Sequence, residues 1–375
     1  MKIKAICKFL FFGIAALFLM AGCGGGNSGK NDQLSRQVGQ MLMIGFRGLS
    51  VDQDSPIVRD IRAGRVGGVI IFDYDVALQS PVRNVQSPEQ LRRLLSDLQA
   101  VSEDKLLIAV DQEGGKVGRL KEKFGFPPTV SQAWLGRQND PELTFDYASR
   151  TASTLEDMGF NVNLSPVVDV NVNPDNPVIG RLERSFSSDP EIVALHSGQV
   201  ISAHREKHIL TALKHFPGHG SSTTDSHHGF TDVTDTWTRK ELEPYTLLFD
   251  SPGVDMVMTA HVFNANLDSE WPATLSSPVL HDLLRVQMGY DGVIISDDMQ
   301  MGAIRDYYGL ETALERTINA GTDIIIFGNN LVYDPDVAVK ARDIILELVR
   351  RERIPESRIT ESYDRIMKLK SGYSP

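Results

Sequence analysis

From Leu34 onward the chain alternates short apolar runs with amphipathic stretches. Eight runs stand out, at residues 40–46, 66–72, 106–110, 161–170, 210–214, 255–260, 292–296 and 323–327. Most are continuous rather than alternating, which is the pattern of strands covered on both faces in a parallel sheet. The stretches between them carry helix start signals. Ser87-Pro88-Glu89 precedes Leu91, Leu94, Leu95 and Leu98, a stripe with helical spacing, with Ser as N-cap and Pro at the first helical position. Asp140-Pro141-Glu142 and Asp189-Pro190-Glu191 repeat the device, Gly159 is placed to stop the first of these helices, and Ser277-Pro278 opens another. Each gap between strands is long enough for a crossover helix. The pattern predicts an α/β fold, a single-domain (β/α)8 TIM-type barrel over residues 34–375. The competing architecture is an open doubly wound sheet. It lacks its main support, because no Gly-x-Gly-x-x-Gly follows the first strand.

The first residues do not fit this alternation. Lys2, Lys4 and Lys8 precede an apolar run over residues 9–20 that is short for a membrane-spanning helix. The run ends in Met20-Ala21-Gly22-Cys23, which resembles a bacterial lipobox, with Met20 in place of the usual Leu. Residues 1–22 therefore read as a lipoprotein signal peptide and Cys23 as the lipidation site. The alternative is an ordinary signal peptide in which Cys23 is incidental. Residues 23–33 are rich in Gly, Ser and Asn and read as a flexible tether. The expectation is an extracytoplasmic protein held to a membrane by its lipid. Gly24, rather than Asp, after the cysteine favours an outer membrane where the cell has one.

Composition narrows the function classes. The formal net charge is −11 and no basic run occurs, so nucleic acid is excluded as a partner class. Cys7 and Cys23 are the two cysteines, and they offer no disulfide framework. Removal of the signal segment takes three lysines and no acid with it, which leaves the remainder more acidic still.

Candidate chemistry collects where a barrel places it, at the C-terminal ends of the strands. Strand 3 ends in Asp111-Gln112-Glu113-Gly114-Gly115. Strand 4 ends near Asp169, with Arg184 in the loop beyond. Strand 5 runs into Lys214-His215-Phe216-Pro217-Gly218-His219-Gly220, strand 6 into His261, strand 7 into Asp297-Asp298 and strand 8 into Asn329. Strand alternation lets one of Asp297 and Asp298 face the barrel mouth, where a held carboxylate suits a covalent nucleophile or the stabilisation of a cation. The other reading of either residue is a helix cap. The Gly- and Ser/Thr-rich stretch 214–230 reads as a mobile loop carrying Asp225-Ser226-His227-His228. An Asp two residues from a His can accept its ring N–H and make the imidazole a better base. A solvated polar loop is the plain alternative. His215, His219, His227, His228 and Asp225 also have the chemistry of zinc ligands, but their spacing matches no common zinc pattern, so neither metal nor cofactor is expected.

Several segments match one family together: residues 110–119 with Asp111-Gln112-Glu113-Gly114-Gly115, residues 163–170 ending in Asp169-Val170, residues 179–186 with Arg184, Lys214-His215-Phe216-Pro217-Gly218-His219-Gly220 followed by Asp225-Ser226-His227, and Ser296-Asp297-Asp298-Met299-Gln300-Met301. In this order they resemble the β-N-acetylhexosaminidases of glycoside hydrolase family 3. The family folds as a (β/α)8 barrel, and many members add a second domain. With one helix expected after strand 8, this chain resembles the barrel-only members. The resemblance implies a retaining mechanism in which Asp297 is the nucleophile and His227 the general acid/base, oriented by Asp225. It implies that Asp111, Arg119, Arg184, Lys214 and His215 hold the sugar, with Asp169 and His261 as weaker candidates for the pocket wall. His228-Gly229-Phe230-Thr231 departs from the proline that many relatives carry soon after the histidine, which bears on the posture of the loop. Glu113 is a rival acid/base by residue type, ranked below His227 because a Glu beside Gly-Gly suits a turn.

The resulting expectation is an exo-acting β-N-acetylglucosaminidase that removes terminal N-acetylglucosamine from cell-wall fragments or chitooligosaccharides. Its partners are that small glycan substrate and, through the lipid anchor, a membrane. Two alternatives stand beside it. A phosphorylase on the same scaffold is one, because a histidine acid/base repels phosphate less than a carboxylate does. A catalytically inactive glycan-binding lipoprotein is the other.

Overall fold

The computed structural model describes residues 25–250 and 253–372. The expected signal peptide (1–22) and Cys23 lie outside the described residues. Eight strands form one closed barrel in sequence order: β1 (Leu42–Gly45), β2 (Gly68–Ile71), β3 (Leu107–Val110), β4 (Val162–Asn163), β5 (Leu210–Phe216), β6 (Met256–Thr259), β7 (Val293–Asp298) and β8 (Ile324–Phe327). Every pairing is parallel, and β8 returns to β1 to close the ring. The (β/α)8 architecture expected from the apolar runs is therefore the one observed. All residues of β1, β2, β3, β6 and β8 are buried, because the barrel interior covers one face and the helices cover the other.

Three helix starts behave as their residues dictate. The Oγ of Ser87 accepts the N–H of Gln90, and the carboxylates of Asp140 and Asp189 accept those of Leu143 and Glu191. Gly159 ends the second of these helices in the left-handed conformation, at φ +94°. At the fourth start the bonding serine is Ser276, whose Oγ accepts the N–H of Val279, rather than Ser277.

Three differences from the sequence reading have physical causes. β4 is two residues long, because Pro166 has no N–H to give a ladder; pairing resumes as a single bridge between Val167 and Lys214. The stretch read as a tether is helical from Gly25, as part of the helix Gly25–Gln40, which is held by buried Val38 in its last turn and by buried Met41 just after it. Two helices follow β8 rather than one, Val337–Arg350 and Glu356–Gly372. Pro355 separates them, and Ile359 and Ile366 bury the second against the barrel. Lys370 on that helix donates to Gln40 Oε1 and to the carbonyl of Gly67, which ties the C-terminal helix across the bottom of the barrel. Among the described residues no helix is long and apolar enough to cross a membrane.

Candidate active site

A cavity of about 380 Å³ opens at the C-terminal ends of the strands. Asp111, Arg119, His227, Asp297 and Asp298 all line it. Its floor is apolar, with Ile70, Leu164, Met258 and Ile326. The loop after β5 brings His227 over this floor. Nδ1 of His227 lies 2.7 Å from Asp225 Oδ1, and the same oxygen accepts the His227 backbone N–H at 2.8 Å. A carboxylate only accepts, so Nδ1 carries the hydrogen and Nε2 is the atom free for proton transfer. Burial works against the imidazolium, but the bond to Asp225 and the nearby Asp297 carboxylate raise His227 above the ordinary histidine value. Burial likewise opposes the Asp225 anion, and the His227 bond outweighs it, holding Asp225 at about 2. For Asp297 burial pushes upward, while the imidazoles of His261, His215 and His227 and the N–H of Asp298 bring the carboxyl below the usual range. The cavity thus sets an ionised Asp297 against a histidine with an elevated proton affinity.

The loop read as mobile is docked in several places. His219 bonds Ser222 Oγ through Nδ1 and Ser226 Oγ through Nε2. Phe230 packs against Phe263 and Tyr307 with tilted rings, at separations of 5.2 and 5.7 Å. The segment that departs from the proline pattern is therefore anchored beside the site by its aromatic residue.

Behind Asp111 the remaining charged residues form one buried chain of ion pairs. Asp111 receives Lys214 Nζ at 2.8 Å and Arg119 Nη2 at 3.1 Å. Lys214 also reaches Glu113 at 2.6 Å. Arg184 grips both oxygens of Glu113 at 2.7 Å and donates to His215 Nε2 at 3.2 Å. Since Arg184 only donates, His215 accepts at Nε2 and carries its hydrogen on Nδ1, which donates to Asp169 Oδ2 at 2.7 Å. Burial alone disfavours the Asp111 and Glu113 anions, yet the adjacent cations reverse this. Asp111 lies well below the carboxylate range and Glu113 at about 2. Glu113 is therefore an ionised clamp on Arg184 and Lys214, with no proton to give and little basicity. Arg184, Lys214 and His215 do not line the cavity: Lys214 meets it through Asp111, and Arg184 and His215 stand behind Glu113, which does not border it either.

Asp297 and Asp298 both reach the cavity, whereas alternation allows one. The β7–β8 register shifts between Ile295 and Asp298, and this bulge breaks the alternation. Their roles differ all the same. Asp298 Oδ1 accepts the N–H of Gln300 and of Gly328, so it caps the turn after β7 and holds β8. A side chain at position 328 would overlap this carboxylate. Asp169 is fully buried and serves His215 and the N–H of His219. His261 donates from Nε2 to the carbonyl of Asp298. Neither borders the cavity. Asn329 leaves the rim altogether, because its amide closes its own loop through both polar atoms of the Asp334 backbone. The histidines weighed as zinc ligands have other partners: His215 is engaged with Arg184 and Asp169, His219 with two serines and His227 with Asp225, and His228 Nε2 stands 3.7 Å from Asp225 Oδ2. Among the described residues no group of three or more metal-ligating side chains converges.

The sequence reading missed part of the wall. Asp73, Tyr74 and Val76 after β2, Lys121 after β3, and Asn330 and Leu331 after β8 complete the mouth. Lys121 pairs with Asp73 at 2.6 Å. Asp73 stands just beyond β2, so the strand-end rule applies to it; the others sit in loops with no pattern to mark them.

Comparison with known proteins agrees with this fold. Residues 33–369 match the model of the glycosyl hydrolase family 3 N terminal domain. A protein named beta-hexosaminidase A from Pseudoalteromonas piscicida is 31% identical over 90% of this chain and 61% of its own length. A beta-hexosaminidase from Nitrosomonas eutropha is 33% identical over 73% of this chain and 75% of its own. The solved structure of a glycoside hydrolase family 3 beta-N-acetylglucosaminidase from a Paenibacillus species superposes with a TM-score of 0.81 at 36% identity, over 90% of this chain and 62% of that one. The chain thus spans less than two thirds of the first and third of these proteins.

Proposed function

The chain belongs to glycosyl hydrolase family 3, and from that premise we propose that it is a retaining, exo-acting β-N-acetylglucosaminidase working on small N-acetylglucosamine-containing glycans. The observation that carries the reading is the pairing, across one cavity, of an ionised Asp297 with a histidine whose Nε2 is free and whose Nδ1 is held by Asp225. Asp297 Oδ1 is occupied by the Asp298 N–H, so Oδ2 is the oxygen assigned to attack.

In the first half-reaction Oδ2 bonds to the anomeric carbon, the bond from that carbon to the leaving oxygen breaks, and the Nε2 proton of His227 passes to the leaving oxygen. In the second, water adds to the anomeric carbon while its proton goes to Nε2, and Asp297 departs as carboxylate. Two inversions leave the configuration retained. A histidine replaces the second carboxylate of the usual pair, and Asp225 supplies the charge that keeps it basic. Asp111 offers a carboxylate to sugar hydroxyls, with Arg119 and Lys214 fixing its place.

The acceptor assigned is water. Arg119 and Lys121 in the cavity wall each have a carboxylate partner, as protonated His227 has in Asp225, so an incoming phosphate finds no uncompensated charge there. Cell-wall fragments and chitooligosaccharides are the proposed substrates, and Cys23 the proposed lipid anchor. Release of p-nitrophenol from p-nitrophenyl N-acetyl-β-glucosaminide tests the activity. The account expects turnover that Asp297→Ala abolishes; no release by pure protein, or full release by the variant, overturns it.

A further inference from the structure

We infer that Gly302 is a positioning residue for the general acid, a bare seat on which the His227 loop rests so that acid and nucleophile hang from one short segment. The inference rests on the roles proposed for Asp297 and His227. Gly302 follows Asp297 by five residues and opens the short helix Gly302–Arg305. The turn between them is fixed by two bonds, Asp298 Oδ1 to the Gln300 N–H and the Asp298 carbonyl to the Met301 N–H. From this turn Gly302 N–H donates to the carbonyl of His227, and Ala303 N–H to that of Ser226, both at 3.2 Å. The backbone of the acid/base loop thus lies flat on the segment that carries the nucleophile.

That approach is tighter than an ordinary Cβ contact allows. A Cβ at position 302 stands 3.0 Å from the His227 oxygen, 3.0 Å from the His228 carbonyl carbon and 3.1 Å from the Gly229 nitrogen. All three neighbours are backbone atoms, which cannot swing aside as a side chain can. A side chain at 302 fits only if the backbone around His227 gives by a few tenths of an ångström. The other attachments, His219 to Ser226 and Phe230 to Phe263 and Tyr307, hold the two flanks of the loop, so the displacement falls between them, at His227. A small misplacement of a proton donor is costly, because proton transfer needs hydrogen-bond distance to the leaving oxygen.

Gly302→Ala and Gly302→Val test this against the leaving group. The measure is kcat/KM, which reports the steps through bond cleavage to the sugar. For phenyl N-acetyl-β-glucosaminide, whose departure needs a proton, the account expects a loss of about ten-fold or more. For the 2,4-dinitrophenyl glycoside, which departs unaided, it expects less than about a two-fold change. In a His227→Ala background neither substitution at 302 should lower the phenyl rate further. An equal loss on both substrates, no loss on either, or a further loss in the His227→Ala background overturns the inference. If Gly302→Val does not fold, Gly302→Ala is read alone on the same terms. Failure of the unsubstituted protein to cleave either glycoside instead overturns the proposed function, so the two failures are distinct.

Discussion

His227 Nδ1 donates to Asp225 Oδ1 at 2.7 Å, two residues away on the same loop. The pair is local in sequence, so the loop carries its own orienting charge wherever it docks. Burial lowers the proton affinity of His227, and the Asp225 bond and the Asp297 charge reverse that. The basic limb of kcat/KM, where the general acid loses its proton, should therefore lie above the ordinary histidine value. Asp225→Asn keeps an acceptor but removes the charge. It should move the basic limb to lower pH and leave the acid limb, set by Asp297, in place. A pH profile of the two proteins checks this, and an unmoved basic limb contradicts it.

Glu113 is predicted to matter for stability rather than proton transfer. Glu113→Gln leaves the buried Arg184 and Lys214 short of a negative charge, at a cost of about 3 kcal/mol. Denaturant unfolding should show that loss, while both pH limbs of the surviving activity stay where they were. A displaced limb would return Glu113 to candidacy as acid or base.

Asp111 should act through binding. Its carboxylate lines the cavity and is held ionised by Lys214 and Arg119. Truncation by Asp111→Ala removes charged hydrogen bonds to sugar hydroxyls, worth about 1.5–3 kcal/mol. The loss should appear in the affinity for N-acetylglucosamine, measured by calorimetry; unchanged affinity would remove Asp111 from the sugar site.

The lipid anchor has its own test. Metabolic labelling with a fatty-acid analogue should tag the full chain expressed in a bacterial host, and Cys23→Ser should abolish the label. Label retained by the variant would place acylation elsewhere or nowhere on this motif.

Much of this was legible because barrel strands are covered on both faces. Residues 106–110 are uniformly apolar and the run 323–327 is apolar after Asp323, and each became a strand within a residue or two of its expected bounds. The Asp225–His227 pair was legible because its partners are two residues apart. What was hidden depends on contacts between distant segments. Nothing near Glu113 announces Arg184, 71 residues on, as its partner. The bulge that turns both Asp297 and Asp298 into the cavity arises from the pairing of β7 with β8. Asn329 has the residue type of a site but spends both amide atoms on its own loop. Nothing in the sequence marks Gly302, and its contact with the His227 loop exists only in the fold.

The central claim is a covalent intermediate on Asp297. The most direct measurement is mass spectrometry of the His227→Ala variant, quenched during turnover of the 2,4-dinitrophenyl N-acetyl-β-glucosaminide and digested with protease. Without the acid/base the second step slows and the intermediate accumulates. The account predicts one N-acetylhexosaminyl group on the peptide bearing Asp297, attached to that residue. Turnover with no adduct, or an adduct on Asp298, Asp111 or Glu113, would contradict it.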